Sequence, residues 1–171
     1  MRKKVVILFG IITILLLTSC TLGGAGGMIS DNYDELTNAR IEQILEAIKN
    51  KDKKALKSLF SSKALDETID FDKDIDYLFN LLDGDVINYE QEPGLSTSES
   101  RESGKVSKMI RAWYVIETDK NSYTLFFMDY IIDTKNPDNV GLYALRVAEN
   151  KEEYNQYYWQ DLKAGIYNPN K

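Results

Sequence analysis

Histidine is absent from all 171 residues, cysteine occurs once and proline only three times. The first absence narrows function most. Without imidazole there is no Ser-His-Asp or Cys-His activation of a nucleophile, no His-ligated zinc, and no side chain whose ordinary pKa lies near neutral pH. One cysteine rules out a disulfide within the chain and a Cys-based zinc cluster. No metal and no cofactor is therefore expected. Runs of Lys and Arg interleaved with aromatics are also missing, and acids outnumber bases 27 to 21 for a net charge of −6. An acidic domain gains no long-range attraction to phosphate polymers, so nucleic acid is not an expected partner.

What is present starts with a charged and apolar N-terminus. Arg2, Lys3 and Lys4 precede an apolar run from Val5 to Leu17, interrupted only by Gly10 and Thr13. That run fits the ~7–15 residues of a signal-peptide core and falls short of the ~20 that span a bilayer as a helix. Leu17-Thr18-Ser19-Cys20 follows. It resembles the lipobox of bacterial lipoproteins: an apolar residue three before the cut, small residues next, then cysteine. The resemblance implies cleavage before Cys20 and attachment of a diacylglycerol to its thiol as a thioether. Two acyl chains hold firmly where one is marginal, because each buried CH₂ contributes about 0.8 kcal/mol. An uncleaved anchor is the alternative.

Residues 1–19 are thus read as a lipoprotein signal peptide. Residues 20–30, with Gly23, Gly24, Gly26 and Gly27, are read as the lipidated Cys and a flexible tether, and 31–171 as a single α+β domain. Losing the three n-region bases leaves 18 bases against 27 acids, a charge of −9. The expected location is the extracytoplasmic face of the cell membrane, with the membrane itself a partner through the lipid.

Hydrophobic spacing predicts three helices. Ile41, Ile44, Leu45 and Ile48 make one stripe on a helix from about Asp31 to Asn50. Asp52 caps a second, with Leu56, Leu59 and Phe60 inward and Ser61-Ser62 as its stop. A third runs from about Asp72 to Leu82, with Ile75, Leu78, Phe79 and Leu82 inward, closed by Asp83-Gly84. The period then changes to two. Strands are predicted at Val86–Glu90, Val106–Thr118, Tyr123–Asp133 and Gly141–Ala148, with turns at 119–122 and 134–139. Gln91 to Gly104 is polar and holds Pro93-Gly94; it reads as a loop, functional or disordered. Tyr154–Lys163 reads as a short helix or an extended segment.

Helices followed by antiparallel strands predict an α+β layer fold, N-terminal helices packed on a curved antiparallel sheet. The order resembles the cone-shaped nuclear transport factor 2-like (cystatin-like) superfamily. Gly141-Leu142-Tyr143-Ala144-Leu145-Arg146-Val147, Tyr158-Trp159-Gln160-Asp161 and Gly165-Ile166-Tyr167-Asn168-Pro169 are together similar to a family of uncharacterised lipoproteins of low-GC Gram-positive bacteria. Those proteins carry a domain of unknown function with the same fold. The resemblance implies fold and location and brings no site residues.

Candidate site residues come from the strands. Asp129 interrupts an apolar stretch and shares a face with Tyr123, Leu125, Phe127, Ile131 and Asp133 by alternation, with Phe126, Met128, Tyr130 and Ile132 opposite. It is a candidate general base or ligand-orienting acid, or else a carboxylate on a solvent face or paired with Arg111 or Arg146. Arg111 and Arg146 are candidate anion clamps, or snorkelling side chains on the convex face. Trp113, Tyr114 and Tyr130 are candidate walls of an aromatic cavity, or core. Tyr154, Tyr157, Tyr158 and Trp159 cover an open sheet end or, if exposed, form a partner patch. Asp70, Asp72, Asp74 and Asp76 lack the glycine and glutamate of a calcium loop.

Three functional classes follow. The chain is foremost a binding module for a small ligand, peptide or envelope protein. Alternatives are an acid–base enzyme using Asp129 with Tyr114 or Tyr130 on a small hydrophobic substrate, and a structural subunit of an envelope assembly. A homodimer through the sheet is one option.

Overall fold

The computed structural model describes residues 32–149 and 162–170. The lipidation candidate Cys20 and the aromatic cluster Tyr154 to Trp159 lie outside them. No helix among the described residues is long and apolar enough to cross a membrane.

Among the described residues four α-helices precede six strands: α1 Tyr33–Lys49, α2 Lys53–Ser58, α3 Ser62–Glu67, α4 Phe71–Leu81, then β1 Val86–Gln91, β2 Ser96–Glu102, β3 Lys105–Thr118, β4 Ser122–Asp133, β5 Gly141–Ala148 and β6 Gly165–Ile166. The fold is mixed α+β with a curved, unclosed sheet in the order β1-β3-β4-β5-β6. β1 and β2 lie end to end along the same edge of the long β3. β6 runs parallel to β5. Parallel pairing needs a crossover of about a dozen residues or more, which the interval from Ala148 to Gly165 supplies.

The predicted stripes become the core. Ile41, Ile44, Leu45 and Ile48 of α1 and Ile75, Leu78 and Phe79 of α4 are buried in one cluster with Ala112, Tyr114, Ile116, Leu125, Phe127, Leu145 and Val147 of the sheet. Each such side chain stabilises the fold by about 1.5–3 kcal/mol when fully buried. Helices therefore cover one face of β3 to β5, called here the inner face.

Two predictions need correction. The helix capped by Asp52 ends at Ser58, before Leu59 and Phe60, and beyond it the Ser61 hydroxyl accepts from the Ala64 N–H at 3.1 Å and caps a further helix, α3. A serine at a boundary stops one helix and starts the next equally well. The loop predicted at 91–104 also contains β2, whose partners run from Ser96 opposite Arg111 to Glu102 opposite Lys105. Ser103 and Gly104 turn the hairpin with φ of 51° and 78°. β2 carries almost no apolar side chain, so periodicity could not reveal it; the ladder to β3 holds it, with Glu99 paired to Lys108 at 3.2 Å.

Strict alternation also fails near the ends of β4 and β5. Ile131 has no partner on β3, because Tyr130 faces Met109 and Ile132 faces Lys108. Tyr143 is likewise extra, since Met128 faces Ala144 and Asp129 faces Leu142. Such bulges bend a strand and raise its twist, and here they flank Asp129. Gly141 opens β5 with φ 118°; a Cβ there would sit 3.0 Å from the Ser61 nitrogen and 3.1 Å from the Leu59 oxygen. That close approach allows paired bonds, Leu142 N–H to Leu59 O and Ser61 N–H to Leu142 O, each 2.9 Å.

Candidate functional site

The sheet divides the five candidate residues between its two faces. Tyr114 and Asp129 are on the inner face, under α1. Arg111 and Trp113 alternate with Ala112 and Tyr114 and point the other way, as does Tyr130, next to Asp129 on β4. The five residues do not form one pocket.

Asp129 is 2% exposed. Its Oδ2 accepts from Arg40 Nε of α1 at 2.6 Å, and Oδ1 is buried without a hydrogen-bond partner. The expected partners Arg111 and Arg146 are replaced by Arg40, which also donates to Gln43 at 3.0 Å. Burial pushes the Asp129 carboxyl above its ordinary value, and Arg40 only partly offsets this through its charge and hydrogen bond. Desolvation thus outweighs the ion pair, as is common for buried pairs.

Tyr114 is 1% exposed and donates to Asn38 Oδ1 at 3.0 Å. Its ring stacks with Phe127 at 6.1 Å. Burial raises its pKa, so it is a poor proton donor near neutral pH. Asp129 stands opposite Ile110 and Tyr114 opposite Leu125. Four residues along a strand put the backbone positions of the two groups roughly 13 Å apart, and Tyr130 is on the far face. The constellation an acid–base enzyme would use is therefore not assembled. Asp129 also lines none of the clefts described here at the α4–β1 turn, between α1 and α2, or beside Tyr167.

Polar contacts continue along α1. Glu42 accepts from the Tyr89 hydroxyl of β1 at 3.2 Å. Asn38, Arg40 and Glu42 thus bind α1 to β3, β4 and β1 in turn. Sequence reading missed all three, because polar residues flanking an apolar stripe look like an ordinary solvated helix border.

The outer face differs. Arg111, Trp113, Met128 and Tyr130 are half-buried there. Trp113 packs on Phe126 with ring centroids 4.9 Å apart, and Gly94 lies alongside its ring. Tyr130 meets the ring of Tyr143 edge-on at 6.0 Å. Tyr143 donates to Glu67 at 2.8 Å, and burial, reinforced by Glu67, pushes its hydroxyl up to about 12. Arg146 lies 4.1 Å from the ring centre of Tyr167. On the same face Phe126, Ala144, Arg146 and Met109 are buried, so the arrangement is one of packed rings, a thioether and a guanidinium, with no activated nucleophile or base among them. Among the described residues no group of His, Cys, Asp and Glu could hold a metal ion.

Among curated proteins none matches the sequence. A family model described as a domain of unknown function, DUF5104, matches residues 43–152, more than half of the chain. The match opens within α1 after Arg40, so it includes Arg111, Trp113, Tyr114, Asp129 and Tyr130 but neither Arg40 nor Cys20. With this span, from the middle of α1 past the end of β5, the chain belongs to the DUF5104 family.

Proposed function

We propose that the protein is a lipid-anchored, extracytoplasmic binding module of the cell envelope, with no catalytic role. We also read its curved sheet and its helices as a nuclear transport factor 2-like cone, as in the Gram-positive lipoproteins it resembles. Anchoring rests on Arg2-Lys3-Lys4, the apolar run to Leu17 and the lipobox ending at Cys20. Binding without catalysis rests on one observation above all: the acid on the inner face, Asp129, is committed to Arg40 beneath a packed helix.

Metabolic labelling with a palmitate analogue tests the anchor. The wild-type chain is expected to label and to fractionate with membranes, and Cys20→Ala to do neither. Equal labelling of both, or of neither, refutes the lipid anchor.

A further inference from the structure

We infer that β2 is a self-complementary edge through which two copies of this chain pair antiparallel, with Ser100 on the two-fold axis. The inference goes beyond the binding-module reading and does not depend on the lipid anchor. Among the described residues β2 pairs with a strand along one side only, that of β3. Thr97 to Glu102 are all exposed. No bulge interrupts the seven consecutive pairs with β3, and the strand holds no proline. Bulges, prolines and covering elements are the usual means of blunting an edge, and β2 shows none of them among the described residues.

The turn fixes which backbone groups face outward. Ser103 and Gly104 both have positive φ, 51° and 78°, as in a two-residue type I′ hairpin. Such a turn closes on a bonded pair, here Glu102 and Lys105. Bonded and non-bonded pairs then alternate along an antiparallel ladder. Glu102, Ser100, Ser98 and Ser96 therefore bond inward to β3, while Arg101, Glu99 and Thr97 turn their N–H and C=O groups out. Val106 gives the same phase. It stands opposite Arg101 but bonds away from β2: Thr134 N–H donates to its C=O at 2.8 Å, and its own N–H donates to Thr134 Oγ1 at 2.8 Å.

Two antiparallel copies pair where outward groups meet outward groups, which allows a two-fold axis at Ser98, Glu99, Ser100 or Arg101. An axis at Glu99 or Arg101 sets like charges face to face, which is unfavourable. An axis at Ser98 sets Glu99 against Thr97 and Arg101 against Leu95, with no opposite charge for either. An axis at Ser100 sets Glu99 opposite the partner's Arg101 and, by symmetry, does so twice. Lys108 holds Glu99 in place from β3 at 3.2 Å. Arg101 donates to its own Glu99 through Nε, which leaves its two terminal nitrogens for the partner's carboxylate. Charge thus selects one register, and a second copy of this chain over an arbitrary strand.

A short edge buries little area, so free association is weak, and thiol trapping suits it. At the axis Ser100 faces its own copy as a non-bonded pair, with Cα atoms about 4.5 Å apart, within the roughly 4.4–6.8 Å that a disulfide spans. The test uses the full chain with Cys20→Ser, in detergent micelles under mild oxidation. Ser100→Cys is expected to cross-link to itself about tenfold faster than Ser98→Cys or Glu102→Cys does alone. Those two should cross-link to each other when mixed, since the register sets Ser98 opposite the partner's Glu102. Added to Ser100→Cys, Arg101→Glu should slow trapping about tenfold with an unchanged melting curve. Arg101→Lys should slow it less, and salt should slow the parent. Equal trapping at Ser98 and Ser100, trapping that Arg101→Glu leaves unchanged, or no trapping at Ser100 overturns the inference. Cross-linking of Ser100→Cys to a different protein in place of its own copy overturns it too. Each of these results leaves the binding-module reading and the Cys20 label standing.

Discussion

Replacing Arg40 with methionine removes the cation from a carboxylate that is almost wholly enclosed. The side chains of Arg40 and Asp129 are 22% and 3% exposed. Breaking a buried pair by removing one member costs about 3–5 kcal/mol, because the other charge stays buried and unpaired. Arg40 retains some contact with water, so the lower end applies, about 3 kcal/mol. Against a total stability of about 5–15 kcal/mol this is a large loss.

Asp129→Leu should cost less, about 1 kcal/mol, since the released guanidinium can rehydrate. The double variant should stay within about 1 kcal/mol of the wild type, giving a favourable coupling of about 3 kcal/mol in a double-mutant cycle. Urea unfolding of the four proteins measures it. The pH dependence supplies a second check. Asp129 titrates above its ordinary 3.8 in the folded state. The folded state therefore binds the extra proton between 3.8 and that raised value, and Asp129's contribution to stability rises as pH falls through this window. Without Arg40 the carboxyl rises further, so the Arg40→Met deficit should shrink on acidification. A coupling below about 0.5 kcal/mol, or a deficit that grows in acid, would refute the claim that desolvation governs this pair.

The remaining predictions concern the frame. The Asp133 carboxylate is pushed up by burial, but donors outweigh this and hold it below its ordinary value: Asn139 Nδ2 at 2.7 Å, with the N–H groups of Asn136 at 2.8 Å and Lys135 at 3.0 Å. Its stability contribution is therefore present above 3.8 and is lost as pH falls through its lowered folded value. Asp133→Ala should cost about 2 kcal/mol at neutral pH, and acid titration of the melting temperature should bring variant and wild type together. Gly141→Ala should destabilise by about 2 kcal/mol or more, because its Cβ would meet hydrogen-bonded backbone of Leu59 and Ser61. Gly104→Ala, with nothing within 4 Å, should lose only the left-handed backbone preference, about 1 kcal/mol. Equal losses in thermal melts would show that crowding at Gly141 is not what fixes its identity.

Much of the helical layer was legible because its signals are local. Ile41, Ile44, Leu45 and Ile48 share a face through helix geometry alone, and the same spacing placed Ile75, Leu78 and Phe79 inward. The long strands β3, β4 and β5 announced themselves by a change of period and by the turns between them. β2 did not, since an edge strand held by backbone bonds needs no apolar face. Its polar sequence carries the same composition as a loop.

By itself the sequence determined three of the four helices, many of the apolar residues that form the core, and that imidazole chemistry is closed to this chain. Those properties follow from residue type and from spacing over a few positions. Only the tertiary structure decided that Asp129 meets Arg40, 89 positions away, and that the Tyr114 face of β3 is the one that matches the Asp129 face of β4. Pairing at that distance depends on how α1 crosses the sheet and on two bulges that reset its register. No local pattern encodes either.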